Sequence, residues 1–277
     1  MTLSKPLKLL CILDDRPGHA FQVEAVLQEL AHRVRLEVDR HYVHEQSWKA
    51  TNQSHDLCIG AGRKTNWPLA KMGIFHRTPT VVIMKPALPT FLYSLCVIPQ
   101  HDHPVSRPNI LPVQFAPTTL TPGDPKTINP EGQVALIGGP SSHFDWEINR
   151  VIKKLRELDT GSGFEILTSR RTPDESVRAL QDCGRILGPD QVDRKTYEST
   201  LRSAGKIVVT PDSVSMLGDA LATSACVFSV PLKKKKSKVS DAFDEICRRT
   251  NMDSGSPNQP VNEASRIADH ILQRFFL

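Results

Sequence analysis

An α/β architecture of two Rossmann-like halves facing each other across a cleft is what this sequence predicts, and three observations predict it. Short β-branched runs alternate with amphipathic helical patterns along most of the chain. Glycine- or hydroxyl-bearing turns follow several of those runs. Midway, Pro112–Gln133 interrupts the alternation with four further prolines and four threonines, a linker-like texture, and the same plan then restarts. Strand–helix alternation of this kind implies parallel strands joined by right-handed crossovers.

Leu9–Leu13 reads as a buried strand, short and continuously apolar. Asp14-Asp15-Arg16-Pro17-Gly18-His19 follows, then a helix whose stripe Val23, Val26, Leu27 and Leu30 keeps the i, i+3, i+4, i+7 spacing. Val34–Val38 and Asp56–Ile59 read as strands, the latter running into Gly60-Ala61-Gly62-Arg63 and a helix to Phe75. Thr80–Met84 and Leu95–Ile98 complete the first sheet. After the interruption come a strand at Val134–Ile137, the turn Gly138-Gly139-Pro140-Ser141-Ser142, and a helix with Ile148, Val151, Ile152 and Leu155 on one face. Phe164–Leu167 is the next strand. Thr172-Pro173-Asp174-Glu175 has the pattern of a capping box with proline at the first helical position. Lys206–Val209 is a strand, Ser213–Leu221 a helix and Cys226–Val230 a strand, and helices at Val239–Arg249 and Val261–Phe275 close the chain. The halves are set at residues 1–120 and 134–260, with 121–133 as linker and the final helix, 261–277, packing on the first half.

Composition narrows the classes. A chain of 277 residues that is 39% apolar can bury two cores. No apolar run approaches the ~20 residues of a membrane span. Met1–Leu10 carries two lysines, and the apolar Leu9–Leu13 beyond it is too short for a signal core and runs into Asp14-Asp15. A cytoplasmic location is therefore expected, with peripheral attachment to a membrane left open. The six cysteines stand singly with no CxxC pair, as buried reduced thiols do. A net charge of +5 suits anionic ligands, while 6% aromatics is too sparse for a nucleic-acid stacking platform.

In an open parallel sheet, ligands bind beyond the carboxyl ends of the strands, where turns lead into helix N-termini that favour anions. Gly138–Ser142 occupies such a place, as a phosphate cradle or as a turn that needs glycine for packing alone. Thr210-Pro211-Asp212-Ser213-Val214-Ser215-Met216 is the second candidate: Ser213 and Ser215 lie in the first helical turn, and Asp212 is placed to cap it. Asp219, a turn further on, reaches a ribose hydroxyl if that helix lines the site and is a solvated helix residue otherwise. Ser169-Arg170-Arg171 puts two guanidiniums at a strand end, a diphosphate site or a solvated basic corner. His19 is a general-base candidate, histidine titrating near neutrality; the alternative is a surface histidine in a turn. His101-Asp102-His103 has two histidines at i, i+2 but no third or fourth ligand, so no metal site is expected. Lys233–Lys236 with Lys238 is a solvated basic loop or a contact for lipid headgroups or polyphosphate.

Together, Arg16-Pro17-Gly18-His19 with Gln22, Gly60-Ala61-Gly62-Arg63, Pro99-Gln100-His101-Asp102, Leu136-Ile137-Gly138-Gly139-Pro140-Ser141, Thr168-Ser169-Arg170-Arg171-Thr172-Pro173 and Val209-Thr210-Pro211-Asp212-Ser213-Val214-Ser215-Met216 resemble the mitochondrial fission ELM-type family. Its bacterial members carry the label of predicted nucleoside-diphosphate-sugar epimerase. The match is collinear over nearly the whole chain. The family is similar in plan to GT-B glycosyltransferases, which implies a nucleotide-sugar site mainly on the second Rossmann-like half and an acceptor side on the first. The chain departs from the family at Asp14-Asp15-Arg16, where Ser-Asp-Gly-Lys is usual, at Gly218-Asp219, where a glutamate is usual, and at Arg194-Lys195-Thr196-Tyr197, where Asn-Pro-Tyr is usual.

The resulting expectation is a metal-independent GT-B-type transferase using a nucleotide-diphosphate sugar as substrate and no separate cofactor. Gly138, Gly139, Ser141, Arg170, Arg171, Ser213 and Ser215 would hold the diphosphate and Asp219 the ribose. His19 or Asp102 would activate a hydroxyl of an acceptor, with lipid-linked and cell-envelope glycans as the candidate class. The rivals are a sugar-nucleotide epimerase on the same fold and a non-catalytic nucleotide-binding scaffold.

Overall fold

The computed structural model describes residues 5–45 and 54–277; residues 1–4, part of the stretch weighed above as a signal sequence, lie outside that range. The chain divides into two compact units. One runs to Thr119 and takes in Asn262–Leu277, and the other is Leu120–Val261.

In the first unit the chain runs β1 (Leu7–Leu13), α1 (Pro17–Ala31), β2 (Leu36–Tyr42), β3 (Leu57–Ala61), α2 (Asn66–His76), β4 (Thr80–Ile83), β5 (Leu95–Pro99) and β6 (Ile110–Val113). All pair in parallel, in the order β2-β1-β3-β4-β5-β6. Apart from Lys8 near the start of β1 and Thr80 at the start of β4, the interior strands are apolar because both faces are covered, as parallel sheets require. Side chains alternate between faces. Leu9, Cys11, Ile59, Val81 and Val97 meet the Val23–Leu30 stripe of α1, while Leu10, Ile12, Cys58, Val82 and Cys96 meet Leu69, Ala70 and Met72 of α2.

The second unit runs β7 (Asn129–Ile137), α3 (Ile148–Leu158), β8 (Phe164–Thr168), α4 (Asp174–Ala179), β9 (Gly184–Leu187), α5 (Arg194–Ser203), β10 (Ala204–Val209), α6 (Val214–Leu221), β11 (Cys226–Ser229) and α7 (Lys238–Arg249). Its parallel sheet has the order β11-β10-β7-β8-β9. The last helix, α8 (Glu263–Phe275), belongs to the first unit. Its stripe Ala264, Ile267, Ala268, Ile271 and Leu272 is buried, the last four residues in the same cluster as α1. Arg33 ties the two helices polar-side, donating to Asp269, Ser265 and Glu29.

Each sheet reverses its strand order at one point, between β1 and β3 in the first unit and between β7 and β10 in the second. At such a switch point the flanking loops diverge and leave a crevice beyond the strand ends. Four elements differ from the sequence reading. β6 has no counterpart in the sequence reading and runs into the stretch read as irregular, its last two residues being Pro112 and Val113; a proline is tolerated there since β6 is an edge strand. β7 starts at Asn129, within the expected linker. β9 is a four-residue edge strand, and α5 is a polar helix that buries only Leu201, so neither carries a strong periodic signal. The six cysteines are free, four of them buried, and burial pushes the Cys11, Cys58 and Cys96 thiols up to about 12.

Candidate functional site

At the first unit's switch point, β1 leads directly into Asp14, and α1 begins beside it with Pro17 in its first turn. Asp14 is 3% exposed. Its Oδ1 accepts from the Arg16 amide at 3.0 Å, and its Oδ2 lies 2.8 Å from His19 Nδ1. Gly62, just beyond β3, has φ +89°, and a Cβ there would stand 2.1 Å from His19 Nδ1 and 2.7 Å from Asp14 Oδ2. Only glycine allows this close approach of the two strand ends. A buried carboxylate facing Nδ1 selects the tautomer with the proton on that nitrogen, leaving the Nε2 lone pair outward. The pair leaves the His19 side chain 14% exposed.

Asp102 lies elsewhere on the same unit. It ends the turn Gln100–Asp102 after β5, and its carbonyl accepts from Lys85 Nζ at 2.9 Å. With β3 and β4 between β1 and β5, three strand spacings, roughly 14 Å, separate it from the Asp14–His19 end. The structure does not bring His19 and Asp102 together.

At the second unit's switch point, Gly138 and Gly139 follow β7, and Thr210 to Ser213 follow β10. The Gly138 amide donates to Thr210 Oγ1 at 2.8 Å and the Gly139 amide to Asp212 Oδ2 at 3.0 Å. A Cβ at Gly138 would stand 2.2 Å from Asp212 Oδ2, and one at Gly139 would stand 2.1 Å from the Arg171 carbonyl oxygen. Both glycines are thus required by the protein's own packing, and both amides are already in use. Nor does the glycine turn lead directly into a helix, since α3 begins only at Ile148. Ser141 Oγ accepts from the amides of His143 and Phe144 and shapes that loop.

The neighbouring arginines diverge. Arg171 turns to the switch point, with Nη2 2.8 Å from Asp212 Oδ2 and Nη1 donating to the carbonyls of Gly139 and Pro140. Arg170 lines a cavity of about 380 Å³ at the ends of β8 and β9, with Thr168, Ser169, Thr172, Gly188 and Gln191. The expected capping box at Thr172 is not formed. Pro173 takes the cap position of α4 without a side-chain bond, because the Thr172 hydroxyl is drawn to the carbonyls of Ile137 and Gly138 at the end of β7. Ser213, rather than Asp212, caps α6, accepting from the Met216 amide. Asp212 is left 1% exposed in its side chain, and its Oδ1 has no hydrogen-bond partner among the described residues.

Ser215 is exposed in the first turn of α6. Asp219 is buried further along it, accepting from the Tyr197 hydroxyl at 3.0 Å and facing Arg194 Nη1 at 3.5 Å. Burial first, and the Asp219 charge second, push the Tyr197 phenol well above its ordinary value. Three lysines of the basic loop are paired: Lys233 and Lys235 face Asp145 at 3.5 and 3.2 Å, and Lys234 faces Asp244. Sequence reasoning quoted Asp14, Gly62, Thr210 and Tyr197 within their segments but gave none of them a role of its own in a site. The one available signal was a carboxylate at a strand end five residues before a histidine.

A family model described as Mitochondrial fission ELM1 matches residues 17–275. No curated protein matches the chain. Among solved structures the chain is similar to UDP-GlcNAc 2-epimerase from Neisseria meningitidis bound to UDP-GlcNAc, at 10% identity over 97% of this chain and 100% of that one, with a TM-score of 0.56. It is similar to the S. aureus MnaA–UDP co-structure at 13% identity over 96% of each chain, TM-score 0.53. A further UDP-N-acetylglucosamine 2-epimerase structure shares 12% identity over 98% of this chain and 97% of that one, TM-score 0.51. At these identities the likeness shows the fold, α/β with two Rossmann-like domains of the GT-B-like class.

Proposed function

The chain belongs to the mitochondrial fission ELM1 family, and from that premise we propose that it is a GT-B-type transferase acting on a nucleotide-diphosphate sugar. The observation that carries the reading is the Asp14–His19 pair at the first unit's switch point, 2.8 Å apart and boxed in by Gly62. A carboxylate-oriented imidazole serves as general base toward a hydroxyl. In the transfer, His19 Nε2 takes the acceptor hydroxyl proton, the acceptor oxygen bonds to the anomeric carbon, and the bond to the diphosphate breaks. The nucleotide sugar is assigned to the second unit, in line with the UDP and UDP-GlcNAc named for the similar structures.

In this reading the guanidiniums, rather than the glycine amides, meet the diphosphate. Arg170 is exposed at its cavity, and Arg171 becomes available once its pair with Asp212 opens. Placed around a leaving diphosphate, fixed cations stabilise the charge that develops. Ser215 is the hydroxyl not engaged in capping. In this reading Asp219, held by Tyr197 and Arg194, is the carboxylate that meets the ribose.

A second reading rests on Asp212. A buried carboxylate on the Gly139 amide and on Arg171 occupies two of the donors a diphosphate would use, which favours a non-catalytic scaffold. Incubation with UDP-, GDP-, ADP- and CMP-sugars, followed by product analysis, separates the readings. Free nucleoside diphosphate, lost in His19→Ala, supports the transferase. An epimerised nucleotide sugar replaces it with the epimerase reading, and an unchanged substrate across the panel overturns both enzyme readings and leaves the scaffold.

A further inference from the structure

α2 buries one face, Leu69, Ala70 and Met72, against the first unit's sheet. Its other face is not polar, as the outer face of a water-exposed helix ordinarily is. Trp67 is 56% exposed, Ile74 52% and Phe75 74%. The short turn Thr90–Leu92 adds Phe91, also 74% exposed. That turn seats against α2 at Gly73, where a Cβ would stand 3.6 Å from the Leu92 carbonyl oxygen, which places the exposed Phe91 on a turn packed against the same helix.

Cations ring the patch. Lys71 Nζ lies 5.8 Å from the Trp67 ring centroid, Arg77 ends α2 in the left-handed conformation just beyond Phe75, and Arg107 donates to Thr90 Oγ1 beside Phe91. From Leu57 to Val113 the chain carries Arg63, Lys64, Lys71, Arg77, Lys85 and Arg107 against a single acid, Asp102. The segment thus supplies much of the net charge of +5. No described helix is long and apolar enough to cross a membrane.

We propose that this face of α2, with the Thr90–Leu92 turn, docks on the surface of a bilayer containing anionic lipid. Aromatic side chains protrude from a convex helix surface here, which suits insertion into a soft headgroup region, where Trp and Phe settle and Lys and Arg meet lipid phosphates. A second copy of the chain on the same face would set Lys71, Arg77 and Arg107 against their own equivalents, a like-charge arrangement that opposes association. In the lysine loop, the sequence's more obvious lipid candidate, Lys233, Lys234 and Lys235 face Asp145 and Asp244, and the aromatic rings beside it, Phe144 and Phe243, are buried. The inference does not depend on the nucleotide-sugar reading.

The test is co-sedimentation of the full chain with vesicles of phosphatidylcholine alone and of phosphatidylcholine with phosphatidylglycerol. Binding is expected only to the mixed vesicles, with the tryptophan emission shifting to the blue in wild type and not in Trp67→Phe, and with binding weakening as salt rises. Phe75→Ser with Phe91→Ser, and separately Lys71→Glu with Arg77→Glu, should each reduce binding by ~10-fold or more. Lys233→Glu with Lys235→Glu should leave most of it in place. No binding to the mixed vesicles, binding that survives the α2 and Phe91 changes, or binding abolished only by the lysine-loop change would each overturn the proposal. A circular dichroism spectrum identical to wild type keeps the exposed-site variants interpretable.

Discussion

His19 Nδ1 stands 2.8 Å from a carboxylate oxygen of Asp14, and Asp14 is 3% exposed. The carboxylate sets the imidazole tautomer and steadies the ring when it takes a proton. Asp14→Asn should leave the fold intact and lower turnover of the nucleotide sugar by on the order of 10²–10⁴-fold, the range for losing the orienting group of a histidine base. The measurement is the turnover number beside a thermal melt. Wild-type turnover in the variant would remove His19 from the chemistry.

Gly62 makes that pair possible. Gly62→Ala adds a Cβ 2.1 Å from His19 Nδ1 in a backbone with φ +89°. A cost of about 1–3 kcal/mol is expected from the strained backbone and the displaced ring, read as a lower urea midpoint at unchanged slope.

Asp212 opposes an incoming anion. Asp212→Asn removes one negative charge from the Gly139 amide and Arg171 and should tighten inorganic pyrophosphate binding by ~10-fold, since like charge brought close is repulsive. Unaltered affinity would show that pyrophosphate binds away from this switch point.

The two arginines should separate in stability. Arg170 is exposed at its cavity, so Arg170→Ala should leave the melting temperature in place. Arg171→Ala takes a charged partner from the buried Asp212 carboxylate and should cost about 1–2 kcal/mol, moderated by the solvent around the guanidinium.

Tyr197 gives a pH dependence. Its folded-state pKa is raised above the ordinary phenol value, by burial first, so the folded chain holds this proton more tightly than the unfolded one. The contribution is fully present below about pH 10 and is lost as pH climbs beyond it toward the folded value. Tyr197→Phe should be less stable at neutral pH, through the hydrogen bond lost to Asp219, and should lose less on going to alkaline pH. Denaturant melts of both proteins on either side of pH 10 check the difference.

Much of the fold was legible because its interior strands are covered on both faces and read as unbroken apolar runs. Leu9–Leu13 and Ile207–Val209, the apolar part of the run read from Lys206, lie inside β1 and β10. What escaped were edge elements: β6, masked by Pro112, and β9, with too few apolar residues to form a run. The strand-end loops gave residue types but not partners. Asp14 looks solvated in sequence and is buried because β1 and β3 end together, a non-local pairing. Asp212 looks like a helix cap, yet Ser213 takes that role and frees the carboxylate to fold back onto Gly139. Arg170 and Arg171 look like one basic unit, and only the loop's course shows that they point to different places.

Calorimetric titration of wild type and Arg170→Ala/Arg171→Ala with UDP-, GDP-, ADP- and CMP-sugars is the most direct measurement. The account predicts that one nucleotide class binds wild type and that the double variant loses that binding while remaining folded. No heat with any of the four, or full affinity in the variant, would contradict it.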